Sequence, residues 1–216
     1  MDRRIALKNM GLSLGYVVAT PTLLSLVQSC KTETVLEWTP DFFSQEEGTV
    51  ITHLVDIILP KTDTPSASEV QVNLFIDQFT DQIMEKPQKE FVKMSLGKFI
   101  EKALQDSGKK EAKALLSEDL EPVLASALKF DKAQEMQYRE QIGAFMESQA
   151  SSGNGTITDE AARFAFADSL RGMTILGYRA SEYIGEEVLA YDPIPGGYVA
   201  CDDVETLTQG KAWSLS

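Results

Sequence analysis

From Val50 to Ile184 the apolar residues of this chain recur at steps of three and four, and no sustained period-two run of β-branched residues appears. Such spacing lines apolar side chains along one face of a helix, whereas a half-buried strand needs strict alternation. The expected class is therefore all-α, a single helical domain.

The punctuation agrees. Ser44-Gln45-Glu46-Glu47 has capping-box spacing, so a Ser oxygen and a Glu carboxylate can satisfy the first free amides. Val50, Ile51, Leu54, Val55 and Ile58 follow at helical spacing, and Pro60 ends the segment. After the turn "KTDTPSAS", a second stripe runs through Val72, Phe75, Ile76, Phe79 and Ile83, with Pro87 as its break. Val92, Leu96, Phe99, Ile100 and Ala103 mark a third helix, which stops at "QDSGKK". Leu115, Leu116, Leu120, Val123 and Leu124 continue the pattern, with an interruption expected near Pro122. Tyr138, Ile142, Phe145 and Gln149 form another stripe on a helix starting at Asp131. "SSGNGTIT", residues 151–158, reads as a linker; no strand precedes it and no third glycine follows, so it does not read as a phosphate loop.

The longest helix is expected over 158–189, with Phe166, Leu170, Met173, Gly177, Ala180 and Ile184 in one buried seam. A glycine there costs ~1 kcal/mol relative to alanine. Close approach of another helix or chain at Gly177 would explain it.

The first thirty residues have the layout of a signal peptide, with a basic start, an apolar middle and small residues at the end. The apolar part holds Gly11, Gly15 and Pro21, too broken for a membrane span. Arg3-Arg4-Ile5-Ala6-Leu7-Lys8 resembles the twin-arginine export signal, which takes folded cargo, with Ala6 where Phe is usual and Asp2 where Ser or Thr is usual. Leu26-Val27-Gln28-Ser29-Cys30 resembles a bacterial lipobox, whose cysteine is lipidated and anchors the chain on a membrane surface. The expected organisation is a signal over 1–30, a tether over 31–43, a helical domain over 44–190 and an extended Pro/Gly-rich C-terminal arm over 191–216.

Formal net charge is −13, and removal of residues 1–29, which hold one acid and three bases, takes it to −15. A surface so acidic repels phosphate backbones, which argues against nucleic-acid binding. It does not repel a basic protein. If Cys30 carries lipid, Cys201 is an odd cysteine in an exported chain, which suggests pairing with another chain or a free thiol.

Residues for chemistry are sparse. His53 is the one histidine and no Cys-x-x-Cys occurs, so neither a structural zinc nor a Ser-His-Asp arrangement is supported. Glu118-Asp119 and Glu186-Glu187 are sequence neighbours, which do not share a helix face. Phe75, Phe79, Phe164 and Phe166 sit on helical stripes and read as core. No dinucleotide fingerprint is present. No residue is nominated as catalytic, cofactor-binding or metal-ligating.

The arm "YDPIPGGYVAC", residues 191–201, remains to be explained. Pro193 and Pro195 hold the backbone extended and push Asp192 and Ile194 the same way. Gly196-Gly197 allows a sharp turn before Tyr198 and Cys201. Such an arm either lies over another protein's surface or straps its own helices.

Three stretches together resemble the gluconate 2-dehydrogenase subunit 3 family. They are the twin-arginine start with "PTLLSLVQSC", then "DIILPKTDTPSASEVQV" (56–72), then "GYRASEYIGEEVLAYDPIPGGYVAC" (177–201), the most specific. Ser66 and Ala200 stand where the family more often has glycine, and roughly 85–150 carries little signature. The resemblance implies a non-catalytic small subunit, which holds no cofactor itself. It would escort a folded, large FAD-binding oxidoreductase subunit, of the glucose-methanol-choline type and acting on sugar or sugar-acid hydroxyls, through the twin-arginine route. It also implies a periplasmic, lipid-anchored complex, with a cytochrome c subunit as a candidate third member. Partner binding would fall on Tyr191, Asp192, Pro193, Ile194, Pro195, Gly196, Tyr198 and Cys201, export on Arg3 and Arg4, and lipidation on Cys30. Two other classes stay open: a lipid-anchored ligand-binding or scaffolding module without an oxidoreductase partner, and a self-standing lipoprotein enzyme.

Overall fold

The computed structural model describes residues 38–194, 196–197 and 201–214. Arg3, Arg4, Cys30, Pro195 and Tyr198 lie outside the described residues, so the export, lipidation and part of the arm assignments rest on sequence. Among the described residues the structure is helical: α1 (Gln45–Ile58), α2 (Val72–Gln82), α3 (Lys86–Ser107), a 3₁₀ turn (Ala112–Ala114), α4 (Ser117–Leu128), α5 (Lys132–Ser152), α6 (Asp159–Ala180), a π-helical turn (Tyr183–Val188) and α7 (Val204–Thr208). The one β-type pairing among the described residues is an isolated parallel bridge between Ala190 and Trp213.

Helix starts follow the expected chemistry. Ser44 and Glu47 form the capping box of α1. Asp131 caps α5 and Thr158 caps α6, each through its side-chain oxygen. Pro87 sits in the first turn of α3, where its missing N–H would have had no intrahelical partner, so it opens a helix as well as separating two. Pro122 does not interrupt α4, which runs through it. The freed carbonyl is that of Glu118, and both residues are exposed, so water can reach it.

The central element is α6, which packs against all five preceding helices. Its Phe166, Ala167 and Leu170 join Val50, Ile51, Leu54, Val55, Val72, Ile76, Leu96, Phe99, Leu120 and Val123 in the main core. A second, smaller cluster joins Tyr138 of α5 to Ala161 and Phe164 of α6. Three expected stripe members of these helices are outside the core: Ile83, past the end of α2, is 65% exposed, and Leu116, just before α4, and Gln149 are exposed.

The expected helix over 158–189 is two elements. α6 ends at Ala180, and Ser181 turns extended (φ −67°, ψ 143°). The Ser181 hydroxyl donates to the Tyr178 carbonyl at 2.7 Å. That local bond competes with the helical ladder, as serine does near helix ends. Ala180, expected in the seam, is therefore exposed, while Ile184 still reaches the interior from the π-helical turn. Gly153 in the 151–158 linker takes the left-handed C-cap of α5 (φ +71°), so the glycine there ends a helix.

Candidate functional site

The C-terminal end of α6 organises the site. Gly177 faces Phe75 of α2, and a Cβ built on it would lie 2.5 Å from Phe75 Cδ1. The glycine in the seam thus exists for close helix approach, within this chain. One residue on, the Tyr178 hydroxyl donates to the Pro65 carbonyl at 2.8 Å and lies 3.0 Å from the Thr64 hydroxyl. So the end of α6 reaches the turn after α1, and the two interior signature stretches meet in space.

That turn is fixed from its other side by carboxylates. Asp56 accepts from the Ser68 amide (2.8 Å) and the Ser68 hydroxyl (2.6 Å). Glu69 accepts from the Ser66 amide at 2.9 Å and pairs with Lys61. The Lys61 ammonium, then the Ser66 amide, hold the Glu69 carboxyl below its ordinary range. The Ala67 amide closes the loop onto the Leu59 carbonyl at 3.0 Å. Ser66, one of the two departures from the resembled pattern, is buried and contributes its amide to this frame. Lys61, Thr62, Pro65, Val70 and Tyr183 then line an open groove, with Tyr183 supplied by the π-helical turn.

Beyond the π-helical turn the chain meets its own C-terminal tail. The Ala190 amide donates to the Ala212 carbonyl at 2.9 Å, and the Ser214 amide donates to the Ala190 carbonyl at 3.0 Å. Arg179 of α6 donates to the Trp213 carbonyl at 3.3 Å. Residues 212–214 therefore strap back onto the root of the arm, while Tyr191, Asp192, Pro193, Ile194 and Gly196 are exposed. Ile194 is 85% exposed. Cys201 is an exposed free thiol.

His53 lies elsewhere, between α1 and α4. Its Nδ1 is 3.4 Å from the Ser117 hydroxyl, and its buried Nε2 has no polar partner. Burial pushes its pKa down, opposed by the charge of Asp56. Both Asp56 oxygens are engaged by Ser68, so serine, histidine and aspartate here do not form a relay. Among the described residues no group of three His, Cys, Asp or Glu side chains could hold a metal ion, and no helix is long and apolar enough to cross a membrane.

At the entrance to the body, the fully buried Asp77 carboxylate accepts the amides of Asp41 (2.7 Å), Phe42 (3.1 Å) and Phe43 (3.0 Å). Lys93 lies over the rings of Phe42 and Phe43 and pairs with Glu47. Burial alone would raise the Glu47 pKa, but the Lys93 ammonium and the Ser44 amide outweigh it and hold the carboxyl low. Residues 41–43, the end of the tether, are therefore stitched to α2 and α3 before α1 begins. Sequence reasoning missed Asp77, although Asn73, Asp77 and Thr80 form a buried polar stripe on α2.

The sequence matches the gluconate 2-dehydrogenase subunit 3 family over residues 45–196. That span runs from the first residue of α1 to the first glycine of the arm, and holds all of the 56–72 stretch and residues 177–196 of the one that meets it at Tyr178. No curated relative and no solved structure matches the chain.

Proposed function

The chain belongs to the gluconate 2-dehydrogenase subunit 3 family, the small subunit of a dehydrogenase complex, and we infer that it binds, stabilises and escorts for export a large FAD-dependent subunit that oxidises a sugar or sugar-acid hydroxyl. The family match carries this reading. FAD belongs to the large subunit, and this chain is the non-catalytic partner. The exposed backbone and side chains at Tyr191, Asp192, Pro193, Ile194 and Gly196 support the arm as an interface element, which Pro195 and Tyr198 continue in sequence. Arg3 and Arg4 direct export by the twin-arginine route, and lipid on Cys30 holds the complex to a membrane on the periplasmic side. A cytochrome c subunit is a further candidate member.

Cys201 is exposed and free in this chain, which leaves its sulfur available to an interchain disulfide. A non-reducing gel of the complex reads this directly, and a Cys201→Ser chain that behaves like wild type would rule it out. The decisive experiment for the function is affinity capture of the chain from detergent-solubilised membranes, followed by mass spectrometry and a flavin absorbance scan. A yellow eluate holding a large FAD oxidoreductase in near one-to-one ratio is expected. A colourless, solitary chain would overturn the subunit reading.

A further inference from the structure

Among the described residues, eight of the eleven exposed large hydrophobic side chains lie from Ile175 to Trp213. Five of them fall on two adjoining surfaces. Ile175 and Leu176 stand on the outer face of α6, in a shallow groove that also includes Arg179 and Ser214. Tyr191, Leu207 and Trp213 line a second groove between the root of the arm and α7. The Ala190–Ser214 hydrogen bond and the Arg179–Trp213 contact join the two, so the apolar residues belong to one continuous face. An apolar face of this extent, on a protein otherwise well covered by charge, marks an interaction site.

The charge around this face specifies what fits it. Residues 180–210 hold seven acids, from Glu182 to Glu205, and no lysine or arginine. All seven are exposed, and among the described residues none is in an ion pair. In the helical body the acids are interspersed with lysine and arginine, and although Glu118, Glu121, Glu140 and Glu147 are in no ion pair among the described residues, Glu47, Glu69, Asp119, Asp159 and Asp168 are each matched by a cation of this chain. Acids left unmatched beside exposed apolar side chains complement a partner whose apolar patch is rimmed by cations.

We propose that the outer face of α6, the segment 182–194 and the tail 202–214 form one docking surface for an apolar patch, rimmed by lysine and arginine, on the large subunit. This rests on the small-subunit reading and adds the face and the chemistry of its counterpart. Isoleucine, leucine, tyrosine and tryptophan side chains supply the buried centre. The acids speed encounter and fix orientation, an effect that salt screens over a Debye length of about 10 Å at 0.1 M.

The test compares two charge-neutralised chains, each co-expressed with the large subunit and captured from membranes. One carries Glu186→Gln, Glu187→Gln, Asp202→Asn and Asp203→Asn. The other carries Glu118→Gln, Glu121→Gln, Glu140→Gln and Glu147→Gln, four exposed acids of the helical body, so the net charge change is the same. Thermal melts check that both fold. Recovery of the large subunit is read across washes of rising salt. The first variant is expected to lose the partner about tenfold at low salt and to show a flattened salt response, with the second close to wild type. A Leu176→Asp chain should also lose the partner while melting normally. Equal retention by wild type and all three variants would overturn the proposed surface and leave the subunit reading intact. Absence of the large subunit from the wild-type eluate would overturn both. Self-association of the purified chain that the first variant and Leu176→Asp abolish would assign the face to a second copy and overturn the proposal.

Discussion

The Tyr178 hydroxyl lies 2.8 Å from the carbonyl oxygen of Pro65, 113 residues earlier in the chain. This bond ties the end of the central helix to the turn after α1. Removing the hydroxyl in Tyr178→Phe leaves the half-buried Pro65 carbonyl and Thr64 hydroxyl without that partner. The expected loss is about 1–2 kcal/mol, seen as a lower urea midpoint with an unchanged slope. Proteolysis within 61–66 should rise further than elsewhere, because the turn loses one of its two anchored sides.

Gly177 answers to the same geometry. Alanine improves helix propensity by ~1 kcal/mol, but its Cβ would stand 2.5 Å from Phe75 Cδ1. Overpacking of this kind costs about 1–3 kcal/mol, and the ring can yield only by disturbing the α2–α6 contact. Gly177→Ala is therefore expected to be destabilising. Phe75→Leu, destabilising alone, should recover part of the loss in the double variant, and a double-mutant cycle measures that coupling.

These two neighbours show what the sequence could and could not disclose. The apolar stripes of α1, α2 and α3 were readable because each helix buries one face against a single core. Gly177 was readable as a close approach because glycine at a seam position needs a reason, although nothing local names Phe75. The break at Ser181 was not readable. It depends on a hydroxyl choosing the Tyr178 carbonyl over solvent, and the stripe continues across it to Ile184, which stays buried. Pro122 misled in the other direction, because a proline on an exposed helix face forfeits one bond that water can replace. The carboxylate anchors at Asp56, Glu69 and Asp77 read as ordinary solvated acids until the turn and the tether fold onto them.

Asp77 is the largest single anchor of the tether. Asp77→Ala would strand three amides, those of Asp41, Phe42 and Phe43, beside a cavity. The expected cost is about 2–4 kcal/mol. Asp77→Asn keeps one acceptor oxygen and should fall between alanine and wild type. Because the effect is local, chymotryptic cleavage at Phe42 and Phe43 should accelerate before the global melt moves by the full amount. Equal cleavage in wild type and Asp77→Ala would show that the rings of Phe42 and Phe43, packed under Lys93, hold the segment unaided.

His53 gives the protein a pH response of known sign. Burial lowers its folded pKa below the ordinary value of 6.5, and its Nε2 has no acceptor to reward protonation. The unfolded chain therefore takes up a proton first as pH falls from 7. Stability is unaffected above that range, drops as pH falls through the unfolded pKa, and levels once the folded protein also protonates. One proton limits the slope to ~1.4 kcal/mol per pH unit. The chain has a single histidine, and the depressed carboxylates Glu47, Glu69 and Asp119 lose their contribution only at lower pH. The window between pH 5 and 7 thus reports His53 alone. Urea titrations across it should show falling stability for wild type and a flat line for His53→Leu. A wild-type line equally flat would mean that the folded protein protonates His53 as readily as the unfolded chain, through an opening between α1 and α4 at Ser117.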